Sequence, residues 1–129
     1  MEPTLTEVIK ASPVIVHPGR YAYLKSQDKQ LKDHFLICQD ADEITIVTEE
    51  KNLNKTQYEK AVKWFKLLEF RVSLPFQAPG FLAKIAQTIA NQKMNILLVS
   101  TFSKDYALIR EEDFSVAVKA LSEIGFSIQ

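Results

Sequence analysis

The stretch "KLLEFRVSLPFQAPGFLAKIAQTIA", Lys66 to Ala90, contains the change of period that decides the fold. As far as Leu74 the apolar residues alternate. Leu68, Phe70, Val72 and Leu74 fall on one side and Glu69, Arg71 and Ser73 on the other, the two-residue repeat of a half-buried strand. Beyond Pro79 and Gly80 the repeat lengthens: Leu82, Ile85, Ala86, Ile89 and Ala90 recur at helical spacing, with Lys84, Gln87, Asn91 and Gln92 opposite. A strand therefore turns through Pro-Gly into an amphipathic helix.

Toward the C-terminus, "MNILLVSTF" and "YALI" flank the polar "SKD" and predict a hairpin buried at least in part. Glu111, Glu112 and Asp113 place acid at the start of another helix. Phe114, Ala117, Val118 and Leu121 form its inner stripe, and Gly125 suits its stop. With "FSIQ" as a closing strand, residues 66 to 129 predict the order β-α-β-β-α-β of ferredoxin-like folds. In that order the second strand lies at the sheet edge, and "MNILLVSTF" carries no charge, so the first half of the chain or a second copy is expected to cover it.

Toward the N-terminus, Tyr58, Ala61, Val62 and Phe65 fall three or four apart and predict a helix from Asn54 to Trp64. "HFLICQ" and "EITIVT" around "DAD" predict a hairpin, "RYAYLK" a strand, and "PVIV" an extended entry. Leu5, Val8 and Ile9 after the N-cap residue Thr4 predict a short helix. The expectation is an α+β chain: a truncated, β-rich half at residues 1–63 and a complete half at residues 64–129.

Composition narrows the function. Sixteen basic residues balance sixteen acidic ones, which removes the electrostatic footprint of a nucleic-acid binder. No run reaches the roughly 18 apolar residues of a membrane span, and the start lacks a secretory pattern. The lone cysteine, Cys38, excludes an internal disulfide, suits the cytoplasm, and reads as a small core residue between Ile37 and Gln39. His17 and His34 stand apart without metal-ligand spacing, three glycines make no phosphate loop, and no nucleophile, base and orienter can be assembled. No enzyme, cofactor or metal is expected. "YALIREED" lacks the pattern of an RNA-binding sheet, and "LPFQAPG" lacks the arginine loop of an acylphosphatase-type site.

The Pro-Gly turn has a chemical use of its own. Ala78, before a proline, is pushed toward extended geometry, Pro79 suits the first helical position, and Gly80 permits close backbone approach. Free N–H groups near Gly80, Phe81 and Leu82 would then favour a carboxylate. Gln77 and Ala78 bring no charge, so the turn offers backbone chemistry only. Ser100 and Thr101 can add hydroxyls, and Asp105 a charge for an ammonium or guanidinium group. The same residues also have purely structural uses: Pro-Gly as a corner, Ser-Thr as a strand end, Asp105 as a hairpin residue.

"QAPGFLAKI" resembles the Pro-Gly-x-Leu-x-x-Ile turn and helix of the ACT-domain family. "STFSKDYALIREEDFSVAVKAL" is similar to the Ser-Thr-Phe/Tyr-x-x-Asp-Tyr-x-Leu run of its tandem branch, related to aspartokinase regulatory domains and CASTOR-type arginine sensors. "PGRYAYLKS" and "FLICQDADEITIVTEE" resemble the opening unit of that branch. The resemblance implies a cytoplasmic, non-catalytic, homodimeric sensor that binds an amino acid or similar zwitterion at the seam between ACT-like units and acts through a partner protein. A structural subunit associating through its sheet edge is the alternative.

Overall fold

The Thr4 side chain accepts a hydrogen bond from the Glu7 N–H while the Glu7 carboxylate accepts one from the Thr4 N–H, a closed capping box that starts α1 (Leu5–Lys10). The computed structural model describes residues 2–27 and 33–129. By their contacts they divide into two units, one formed by the residues up to Pro18 with Lys66–Gln129, the other by Gly19–Phe65. This division differs from the one at residue 63 read in the sequence, because α1 and β1 (Val14–Val16) pack with the C-terminal elements.

In the first unit, β1 pairs antiparallel with the end of β5 (Lys60–Phe70), Val14 opposite Phe70 and Val16 opposite Leu68. On its other side β5 neighbours β7 (Asp105–Arg110), and β6 (Leu97–Ser100) pairs with β7 alone among the described strands. α2 (Phe81–Ala90) and α3 (Phe114–Glu123) complete the β-α-β-β-α order. The closing "FSIQ" does pair, but in parallel with β1: the Val14 and Val16 N–H groups donate to the Ser127 and Gln129 carbonyls at 2.9 and 3.0 Å. β1 thus occupies the place beside β5 that the ferredoxin-like order gives to the last strand.

Two strand expectations need correction. β5 is not half-buried here: Leu67, Leu68, Glu69 and Phe70 are all buried, and the strand stops at Phe70. Glu69 tolerates burial because His17 and Arg71 satisfy both its oxygens. The apolar "MNILLVSTF" forms only the four-residue edge β6, and no other described strand covers it.

Apolar residues of α1, β1, β5, α2, β7 and α3 make one core, in which Phe70, Phe81 and Phe126 meet edge to face with ring centroids 5.2 to 6.3 Å apart. Each buried ring contributes about 1.5–3 kcal/mol of burial energy, so Phe81 pins the start of α2 against β5.

In the second unit, β2 (Tyr21–Ser26) lies between β4 (Ile44–Glu49) and the start of β5, and β3 (Leu36–Gln39) forms the expected hairpin with β4. The helix predicted from Asn54 to Trp64 is absent. A 3-10 turn spans Glu50–Lys55, and β5 begins at Lys60, with Val62 opposite Tyr23. Strand pairing overrides a helical stripe whose members Tyr58, Ala61 and Val62 are exposed. Cys38 is exposed on β3, which ends the strand order, and is not a core residue.

Candidate functional site

The segment after β5 folds back on itself before α2 begins. The Gln77 N–H donates to the Leu74 carbonyl at 3.1 Å, and the Phe81 N–H to the Ala78 carbonyl at 3.1 Å. Gly80 caps the helix with φ +85°, a left-handed conformation that glycine adopts without penalty. Pro79 therefore precedes the cap and is not the first helical residue. The Phe81 N–H, expected to face outward, is used inside the turn. The helical ladder opens with Lys84 N–H to Gly80 O at 2.8 Å, which leaves the N–H groups of Leu82 and Ala83 without a partner among the described residues.

The β6–β7 hairpin supplies the opposite wall. Ser100 lies opposite Asp105, and its hydroxyl donates to Asp105 Oδ1 at 2.7 Å. The Thr101 N–H and hydroxyl both donate to the Lys104 carbonyl, at 2.9 and 3.2 Å, so Thr101 closes the turn. Among the described residues neither Lys104 nor Asp105 takes part in an ion pair.

These two walls enclose a depression of about 370 Å³. Ala78, Gly80, Phe81, Leu82, Ser100, Thr101 and Asp105 all line it. Gln77 does not; it lines a neighbouring hollow with Glu2, Leu5 and Val8. Phe81 and Ala78 contribute mainly structure, since the Phe81 ring is buried and Ala78 packs on the core. The sequence reading missed Phe76, Phe102 and Lys104. Phe76 and Phe102 are 82% and 83% exposed with ring centroids 5.4 Å apart. A signal was available: each loop carries one phenylalanine, in "LPFQAP" and "STFSKD", where neither strand nor helix demands it.

A second polar cluster in the same unit joins His17, Glu69, Arg71 and Tyr106. His17 Nε2 donates to Glu69 Oε1 at 2.8 Å and Arg71 Nε to Glu69 Oε2 at 2.7 Å. Burial pushes the Glu69 carboxyl up, but hydrogen bonds from Arg71 and His17 and their charges outweigh it and hold the group below its ordinary range. Burial, then the Glu69 charge, raises the Tyr106 hydroxyl, with Arg71 opposing. This cluster ties the β1 end to β5 and does not line the depression. His34 is likewise engaged locally, with Thr48 Oγ1 at 2.9 Å.

Among the described residues no group of three or more His, Cys, Asp and Glu side chains is placed to hold a metal ion, and no helix is long and apolar enough to cross a membrane. The fold and the depression define an α+β module with its concave surface at a strand-to-helix turn. The model of the ACT domain family matches residues 59–123, half of the chain, and the chain belongs to that family.

Solved structures share the fold. A Vibrio cholerae protein of unknown function, termed a possible transport protein, superposes with a TM-score of 0.81 at 17% identity over 94% of this chain and 95% of its own. Aspartate kinase from Synechocystis gives 0.72 at 19% identity over 95% of this chain, which spans 28% of that enzyme. The regulatory subunit of aspartate kinase from Thermus thermophilus gives 0.63 at 10% identity over 86% of this chain and 95% of its own. No curated protein matches the chain by sequence.

Proposed function

We propose that the chain is a non-catalytic regulatory module that binds an amino acid or similar small zwitterion in the depression between the Gly80 turn and the β6–β7 hairpin. It works as a cytoplasmic homodimer, with a second copy closing the open side, and reports occupancy to a partner protein. The observation that carries this reading is the convergence of opposite demands on one hollow. The Leu82 and Ala83 N–H groups, without a partner among the described residues, and the Lys104 ammonium suit a carboxylate, and the Asp105 carboxylate suits an ammonium. Likeness of fold to aspartate kinase and to its regulatory subunit supports regulation as the role.

A thermal-shift screen of the chain with the twenty amino acids tests it. A true ligand at one hundred times its Kd adds about 2.7 kcal/mol of stability; no shift with any amino acid would overturn the reading. The edge of β6 that no other described strand pairs with favours a second reading, a subunit that associates through this edge without a ligand. Dimerisation unaffected by every amino acid would support it.

A further inference from the structure

We infer that the depression selects an amino acid with a large apolar side chain, aromatic above all, and discriminates against lysine, arginine, aspartate and threonine. This rests on the reading of the depression as an amino-acid site. The charges available are two and opposite, Lys104 and Asp105, and a zwitterion's own carboxylate and ammonium use both. A charged ligand side chain would enter a wall with no remaining counter-charge, an uncompensated desolvation.

The hydroxyls offer little more. Ser100 already donates to Asp105 and Thr101 to the Lys104 carbonyl, so neither has a proton free for a polar side chain.

The rest of the wall is apolar: Val72, Leu74, Leu82 and the two rings of Phe76 and Phe102. The rings are the decisive feature. Phe70, Phe81 and Phe126 are buried in the core of this unit, whereas Phe76 and Phe102 stay more than four-fifths exposed, edge to face at 67°. Phe76 is held there with φ +64°, a backbone region that a bulky side chain rarely adopts. A ligand ring between these two loops completes the edge-to-face set and covers surface that the fold leaves in water, a gain of roughly three- to tenfold in affinity.

Calorimetric titration of the full chain with L-phenylalanine, L-leucine, L-lysine and L-threonine tests this. We expect phenylalanine to bind at least tenfold more tightly than lysine or threonine, with leucine between. Phe102→Ala should weaken phenylalanine binding at least fivefold while leaving the melting temperature unchanged, because the ring is 83% exposed. Asp105→Asn should weaken all binding. Lysine or threonine binding as tightly as phenylalanine, or Phe102→Ala leaving phenylalanine affinity intact while Asp105→Asn abolishes it, would overturn the selectivity and leave the site standing. If none of the four binds while another of the twenty amino acids does, the selectivity is overturned and the site stands; if none of the twenty binds, or if Asp105→Asn changes no affinity, the site itself is refuted and the selectivity with it.

Discussion

The Ser100 hydroxyl holds Asp105 Oδ1 at 2.7 Å from directly across the β6–β7 register. One oxygen of the carboxylate is thereby oriented, and Asp105 lines the depression. Ser100→Ala is expected to weaken amino-acid binding about three- to tenfold, the worth of about 1 kcal/mol for one hydrogen bond. Asp105→Asn is expected to cost more, since it removes the charge. Neither should shift the unfolding midpoint appreciably, because Ser100 is exposed and Asp105 only half-buried; titration calorimetry and thermal melts on the same samples separate the two effects.

The Gly80 turn makes a stability prediction independent of any ligand. A Cβ at this position would sit 3.5 Å from Leu5 Cδ2, ordinary contact, so space is not the obstacle. The obstacle is φ +85°. Gly80→Ala should cost about 1–2 kcal/mol, and Gly80→Val more, because a β-branched residue fits this region worst. Valine is thus no clean probe of binding here. Urea unfolding of both variants checks the order.

Acid sensitivity should trace to Glu69. Its carboxyl is held below the ordinary 4.5, so its contribution is present in full above that value and is lost as pH falls through 4.5 and then through the lower folded-state value. Glu69→Gln is expected to lower stability at neutral pH by about 1–3 kcal/mol and to flatten part of the acid decline. Glu7, Glu50 and Glu112 are also held low, so the measurement is the difference between wild type and variant in unfolding free energy, followed from neutral pH downward. An unchanged slope would contradict the assignment.

Phe126 tests the core. It touches both Phe70 and Phe81, at 5.2 and 5.7 Å between centroids, and is buried. Phe126→Ala should cost about 3–5 kcal/mol and, by loosening Phe81, should raise hydrogen exchange at the start of α2 before it does so in β3.

What was legible in the sequence was what local chemistry dictates. Thr4 and Glu7 spell their cap, the alternation and helical spacing around Pro79-Gly80 spell strand, turn and helix, and residues from the two loops do meet in one depression. What was hidden depends on distant partners. Lys60 to Phe65 becomes a strand only because β2 lies beside it, and Glu69 is buried only because His17 arrives from 52 residues away. Cys38 looked like core because its neighbours are apolar, but a strand that ends the sheet order leaves it uncovered. Gln77 was grouped with the site by sequence adjacency, while the turn points it toward the hollow beside α1.

The placement of β1 between β5 and the tail at Ser127–Gln129 imposes a schedule on synthesis. β1 is made before either of its partners, Leu68–Phe70 of β5 and the Ser127–Gln129 segment. One side of β1 stays unpaired until residue 129 has emerged, whereas β2 has both of its strand partners by residue 65. Cutting the chain at residue 64 would divide β5 itself, strip it of both β1 and β2, and leave the tail without the strand it pairs with.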